Sequence, residues 1–294
     1  MKTLKEYILE AEKKGTAIGH FNISNLEGLK AIFQAAKNLN VPVIIGTAEG
    51  ERNFIGTKQA VALVKTFREE NRDQDGNPYP IFLNADHTYS FDKVKEAVDA
   101  GYDAVIIDAT GLSFEENIKI TKQCVDYAKS VNPNIIVEAE LGFIGKSSQV
   151  LEGIPEGVKI TEEFLTKPEE AKKFVEETGV DMLAPAVGNI HGMLKGGKDP
   201  ALNIKRIAEI KKAVKIPMVL HGASGNSAED IKEAVAAGMS VVHVSTEIRV
   251  AYRKALVKSL QENPDEVAPY KYLKDPIKAV SEVVETKLKL FNNL

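Results

Sequence analysis

The stretch GYDAVIIDATGLSFEENIKITKQCVDYAKSVNPNIIVEAELG, residues 101–142, contains one full unit of the fold. Gly101 closes a preceding helix, AVIID at 104–108 is a short continuous apolar run, 114–130 carries helical spacing, and a second run follows at 135–140. Short apolar runs without alternation suit parallel strands buried on both faces, and a glycine just before a strand suits a helix C-cap. The same unit repeats outward in both directions. Strands are expected at 16–21, 41–46, 80–85, 104–108, 135–140, 182–186, 218–221 and 240–245. Helices are expected at 25–38, 58–70, 91–100, 114–130, 168–178, 203–214, 228–237 and 247–261, with Gly179 and Gly238 ending two of them. Eight strand–helix units predict an α/β fold, a TIM (β/α)8 barrel at about 16–261 with a helical C-terminal extension at 262–294. Residues 1–294 read as one domain, since such barrels commonly reach about 250 residues undivided. A doubly wound open sheet fits less well, because Gly19-His20-Phe21-Asn22 is not the glycine-rich first turn that sheet carries. The tail's apolar positions (Ile277, Val280, Val283, Val284, Leu288, Leu290) suit packing on the barrel or on a second subunit, and predict a homodimer or homotetramer.

Composition narrows the class of function. Hydrophobic residues make up 44% of the chain, enough for a core, and the net charge of −4 comes without any basic stripe. Nucleic acid is therefore not the expected partner. No run approaches the roughly 18 apolar residues of a membrane span. MKTLKEYILEAEKKG at the start is amphipathic, without the apolar core of a secretion signal. The lone Cys124 sits at helical spacing and cannot form an internal disulfide. Together these predict a cytoplasmic protein. Two stretches break the rhythm: the polar turn 71–79, expected on the inactive end, and the loop 142–167, whose length suggests a lid or binding loop.

All five histidines, His20, His87, His191, His221 and His243, stand at or beside the end of an expected strand. In a parallel barrel the strand C-termini share one face, where ligands bind. One histidine at a strand end is more often structural than a ligand. Three of these lie in acid- or glycine-rich settings: Asp86-His87, Gly188-Asn-Ile-His191-Gly192 and His221-Gly-Ala-Ser-Gly225. Three imidazoles with a carboxylate from Glu138 or Glu140 suit a catalytic zinc with an open position. The alternative is three histidines that contact substrate separately. Gly222 and Ser224 follow strand seven, and Ser245 and Thr246 follow strand eight, the usual phosphate site of this barrel. Lys195 offers a point charge nearby. The alternative for HGASG is a tight turn with a serine N-cap.

These motifs, in this order, resemble the class II, metal-dependent ketose-bisphosphate aldolases, from Phe21-Asn22 to the helix after Thr246. The strongest pieces are Asp86-His87, Glu138-Ala-Glu140-Leu-Gly142, Gly188–Lys195 and His221–Gly225. The resemblance implies Zn²⁺, or another divalent metal, on His87, His191 and His221, with Glu140 as an alternate ligand. It implies Asp86 as the catalytic group that moves the C4 hydroxyl proton, and Asn22 near the substrate carbonyl. Glu138 and Asp108 would stand behind the ligands. Gly192, Lys195, Gly222, Ser224, Ser245 and Thr246 would frame the C1 phosphate, with room for a monovalent cation. The implied substrate is a phosphorylated ketose, fructose 1,6-bisphosphate first and tagatose 1,6-bisphosphate as the alternative. Cleaving a β-hydroxy ketone leaves an enediolate whose charge needs an electrophile, and no strand core carries a lysine for a Schiff base.

The chain also departs from the family. His243 stands where an asparagine usually contacts the ketose, and His20 where a small residue is usual; in a closed barrel their strands adjoin. Ser245 replaces an aspartate common in fructose-specific members. Ser148 falls where a loop acid is expected, which leaves Glu152, with Glu156, as the candidate base for proton exchange. Tyr270-Lys271 faces the usual basic residue for the second phosphate. These departures keep a second expectation open, a phosphosugar-binding homologue without turnover.

Overall fold

The computed structural model describes residues 2–145, 149–196 and 199–294. Its strands are β1 (Ile18–Asn22), β2 (Val43–Thr47), β3 (Ile81–Thr88), β4 (Ala104–Ile107), β5 (Ile136–Leu141), β6 (Met182–Pro185), β7 (Met218–Leu220) and β8 (Met239–Val244). They pair in parallel and close on themselves, β1 against both β2 and β8. This is the TIM barrel expected from the repeat. Helix α1 (Leu4–Lys13) precedes β1, and α2 (Leu26–Leu39) follows it. After β2 come α3 (Glu49–Ile55) and α4 (Thr57–Glu70). The remaining strands are followed in turn by α5 (Phe91–Ala100), α6 (Phe114–Val131), α7 (Pro168–Thr178), α8 (Ile204–Val214), α9 (Ala228–Ala236) and α10 (Thr246–Glu262). Helix starts sit where short polar side chains accept from the first free backbone amides: Asn25, Ser90, Ser113 and Ser227. Gly101 and Gly179 end α5 and α7 in the left-handed conformation.

Alternation along each strand sorts the barrel into layers. Ile18, Ile44, Phe82, Ala104, Ile136, Met182, Val219 and Val241 form one buried apolar cluster with Leu4, Ile8 and Ala11 of α1, which plugs the N-terminal end. The outward-facing partners, among them Phe21, Ile45, Leu83, Val105, Val137, Leu183, Leu220 and Val242, join the helices in the larger core. Two residues further along the inward column stand His20, Asn84, Glu138 and His243, and beyond them Asn22, Asp86 and Glu140, all buried. The barrel interior thus changes from apolar to ionisable toward the strand C-termini. That gradient places the site.

After α10 come α11 (Pro269–Tyr272) and α12 (Lys274–Asn292). α12 covers β1, burying Val280, Val284, Leu288 and Phe291. The Phe291 ring stacks on Phe21 at 6.4 Å, and its carbonyl accepts from Ala17 N–H. The tail's apolar stripe therefore packs on its own barrel. Exposed apolar side chains remain at Val257, Leu260, Val267 and Tyr270. The polar turn at 71–79 borders α1 at the plugged end. The long loop after β5 holds more structure than its composition suggests: Val150–Leu151 pairs in parallel with Met193–Leu194, followed by a 3-10 turn at Glu162–Phe164. Among the described residues no helix is long and apolar enough to cross a membrane.

Candidate active site

β3 delivers Asp86 and His87 together, which a regular strand could not do, because neighbouring side chains face opposite sides. His87 has a φ of 41°, and the register with β4 shifts between Ala85 and Thr88. The alternation breaks there, and both side chains reach the open end. A left-handed backbone at a non-glycine residue costs about 1–3 kcal/mol and persists only where its surroundings fix it. Arg52, buried on α3, is such a fixture. Its guanidinium donates to the carbonyls of Thr47 and Asp86 and to Thr88 Oγ1.

His87, Glu140, His191 and His221 each offer one ligand atom, and these atoms all lie within 4.8 Å of one another. Hydrogen bonds decide which ring nitrogens are free. His191 Nδ1–H donates to the Gly145 carbonyl at 2.6 Å, leaving the Nε2 lone pair. His221 Nε2–H donates to Glu138 Oε1 at 2.8 Å, leaving Nδ1. His87 Nδ1 lies 3.0 Å from Glu140 Oε1 and 3.4 Å from Asp108 Oδ2. His191 Nε2 and His221 Nδ1 are buried without hydrogen-bond partners, and the buried Glu140 Oε1 has only the His87 ring within ion-pair range besides His221 Nδ1 at 3.6 Å. Buried polar atoms left unpaired are costly, and these converge on one point. Imidazole nitrogens with a carboxylate oxygen fit a divalent cation such as zinc, and carboxylates behind the rings, as Glu138 and Asp108 are, fit its usual surroundings.

Burial opposes charge throughout this cluster, and ion pairing overrides it in places. Burial alone would raise Asp86, yet the imidazoles of His87 and His243 hold its carboxyl well below the usual range. Burial lowers His87 and His221, but Asp86 and Glu140 for the first, and Glu140 and Glu138 for the second, bring both above the ordinary imidazole value. Asp108 is held at about 2, its own burial outweighed by His87 and Thr110. Glu138 is pushed up, chiefly by burial, and burial takes His191 and His20 down to about 4. Positive charge is what this group of carboxylates calls for.

One cavity is lined by Asn22, Asp86, His87, His191, His221 and His243 on one side and by Gly192, Gly222, Ser224, Ser245 and Thr246 on the other. The residues expected at the metal and at the phosphate are thus adjacent. Gly222 has a φ of 67°, and a Cβ there would lie 2.1 Å from the Ile190 carbonyl, so only glycine lets these two loops meet. Ser224 does not cap the helix it precedes, a role taken by Ser227. Its hydroxyl accepts from the amides of Ser245 and Glu247, at the start of α10. Lys195 and Glu152 do not line the cavity; both are exposed and pair with each other at 2.8 Å across the Val150–Leu194 ribbon. Glu156 is exposed as well, and Ser148 lies outside the described residues.

Three residues at this site were not singled out from the sequence. Asn22 Nδ2 donates to both Asp86 Oδ2 and Glu51 Oε2, at 2.8 and 2.9 Å, and the other oxygen of Glu51 accepts from Arg249, which lines the cavity. Arg249 stands three residues after Thr246, hence on the same helix face, a spacing that could have marked it. Arg52 left no such signal, since its partners lie on two different strands.

Residues 2–294 match the family described as Fructose-bisphosphate aldolase class-II. The fructose-bisphosphate aldolases of Staphylococcus epidermidis and Staphylococcus aureus are each 38% identical to this chain, over 98% of it and 96% of their own length. Among solved structures, the YdjI aldolase of Escherichia coli K12 superposes with a TM-score of 0.79 at 31% identity, covering 98% of this chain and 96% of its own. Fructose-bisphosphate aldolase of Campylobacter jejuni shares the fold at a TM-score of 0.78 and 20% identity, over 98% of this chain and 94% of its own.

Proposed function

The chain belongs to the class II fructose-bisphosphate aldolase family, whose members are carbon–carbon lyases, and we propose from this that it cleaves a ketose 1,6-bisphosphate reversibly. The first-choice substrate is fructose 1,6-bisphosphate, giving dihydroxyacetone phosphate and glyceraldehyde 3-phosphate. One observation carries the reading: the unpaired ring nitrogens of His191 and His221 converge with the Glu140 carboxylate and His87 beside the Asp86 carboxylate. In this reading His87, His191 and His221 hold Zn²⁺, with Glu140 as the alternate ligand and Glu138 and Asp108 orienting the rings. Bound zinc supplies a Lewis acid for the negative charge that builds on the ketose fragment as the C3–C4 bond breaks. Asp86 takes the C4 hydroxyl proton, its carboxylate oriented by the Asn22 amide.

Ser224, Ser245 and Thr246, with Gly192 and Gly222, receive the C1 phosphate at the start of α10, where the helix dipole favours an anion. Lys195 and Glu152 reach the substrate only when their mutual pair opens, so phosphate contact by one and proton exchange by the other require the ribbon to move. A homodimer or homotetramer in the cytoplasm is part of the proposal, supported by the exposed apolar side chains at Val257, Leu260, Val267 and Tyr270. The decisive experiment is an assay of fructose and tagatose 1,6-bisphosphates with and without a chelator. Cleavage abolished by chelation and restored by zinc is expected. Zinc-loaded protein that binds these sugars and turns over neither would favour a phosphosugar-binding role instead.

A further inference from the structure

His20 on β1 and His243 on β8 are register partners where the barrel closes. Their rings are parallel within 3°, with 3.5 Å between centroids. The other face of His243 stacks on His221 at 4.0 Å. His243 is therefore clamped between two rings, one of them a candidate metal ligand. Gly46 on β2 makes the room: a Cβ there would lie 2.2 Å from His20 Cε1. His20, Asp86 and His243 also offer atoms within 4.8 Å of one another, but stacked rings hold their lone pairs in parallel planes that do not converge on one ion. The stack is not a second metal site.

Its geometry fixes what His243 can offer. Nδ1 faces Asp86 Oδ1 at 3.6 Å, a Coulombic rather than a hydrogen-bonding separation. A carboxylate oxygen facing one nitrogen of a neutral imidazole favours the proton on that nitrogen, so Nε2 carries the lone pair. That Nε2 is buried without a partner, in a residue that lines the cavity. Nδ1–H beside Asp86 is therefore the group His243 can present to the cavity; it suits a substrate hydroxyl oxygen, and a mismatched configuration leaves that donor unsatisfied. His20 does not line the cavity. Its Nε2 lies 3.3 Å from Asn84 Nδ2, and it reaches the substrate only through the ring it supports.

We propose that the His20–His243 stack determines which ketose this chain accepts. His243 donates its Nδ1–H to a chain hydroxyl next to the bond that is broken, and His20 is the positioning residue that sets the plane of the His243 ring. The proposal rests on the aldolase reading, and it names the ligand class as phosphorylated ketoses told apart by hydroxyl configuration.

The test is a double-mutant cycle on zinc-loaded protein, with kcat/KM measured for fructose and tagatose 1,6-bisphosphates and metal content measured alongside. His243→Phe keeps a flat ring in the stack and removes the donor; the selectivity ratio between the epimers should fall about three- to tenfold with zinc retained. His20→Ala should reduce the same ratio in the parent but leave it unchanged in the His243→Phe background. Should His20→Ala not fold, His20→Leu fills the space without a flat ring and carries the same expectation. Selectivity unchanged in His243→Phe overturns the proposal, as does an equal effect of the His20 substitution in both backgrounds or a loss that tracks zinc content. Absence of turnover by the parent protein overturns the aldolase reading itself and this proposal with it.

Discussion

His191 and His221 present opposite ring nitrogens to the same point, Nε2 from one and Nδ1 from the other, because Gly145 and Glu138 each take the remaining N–H. If these two and His87 share one zinc, replacing any of them with alanine should strip most of the metal and abolish cleavage, both measurable on one preparation. Asp86→Ala should behave differently, keeping zinc while kcat falls about 10²–10⁴-fold, the range for a lost acid–base group. Should His243→Ala empty the site as fully as His191→Ala, β8 supplies a ligand and the assignment is wrong. The histidines were legible in the sequence because strand C-termini share one face of a barrel. Which nitrogen each offers was not, since the tautomer is set by partners far along the chain. Nor was the fate of Lys195 and Glu152, which pair with each other rather than with the cavity.

The end of β3 shows what an element adds to its residues. Asp86 and His87 were read together from the sequence, yet strand geometry separates neighbours, and the left-handed His87 is what unites them. Arg52 reaches across from α3 to hold that turn through three acceptors. Arg52→Met should therefore destabilise the protein by about 3 kcal/mol, through acceptors left unpaired in the interior, and should lower activity with it. Arg52→Lys should recover little, because one ammonium cannot span the carbonyls of Thr47 and Asp86 and the Thr88 hydroxyl. Urea unfolding measures both, and a fully stable methionine variant would mean that the turn is held by something else. α3 itself went unread because Glu49–Ile55 is short and carries no clear apolar period. The repeating strands and capped helices, by contrast, follow directly from continuous apolar runs and from Asn25, Ser90, Ser113 and Ser227.

Across the whole molecule, the expectation of an oligomer began from the apolar tail, and α12 places that stripe against its own barrel. The sequence alone could not choose between the two destinations, because packing on self and packing on a partner demand the same pattern. The exposed Val257, Leu260, Val267 and Tyr270 now carry the expectation. Sedimentation at micromolar concentration should show a dimer or tetramer, and a monomer there would remove it. The position of α12 also bears on how the molecule is made. Of the eight barrel strands β1 leaves the ribosome first, and its outer face, with Phe21, finds its cover in Leu288 and Phe291 only after the other seven have emerged. Loop closure over such a separation is slow, so a nascent chain paused before α12 displays a sticky strand to chaperones and to its neighbours. Emergence of α12, more than of any helix near β1 in sequence, is the event that seals this barrel.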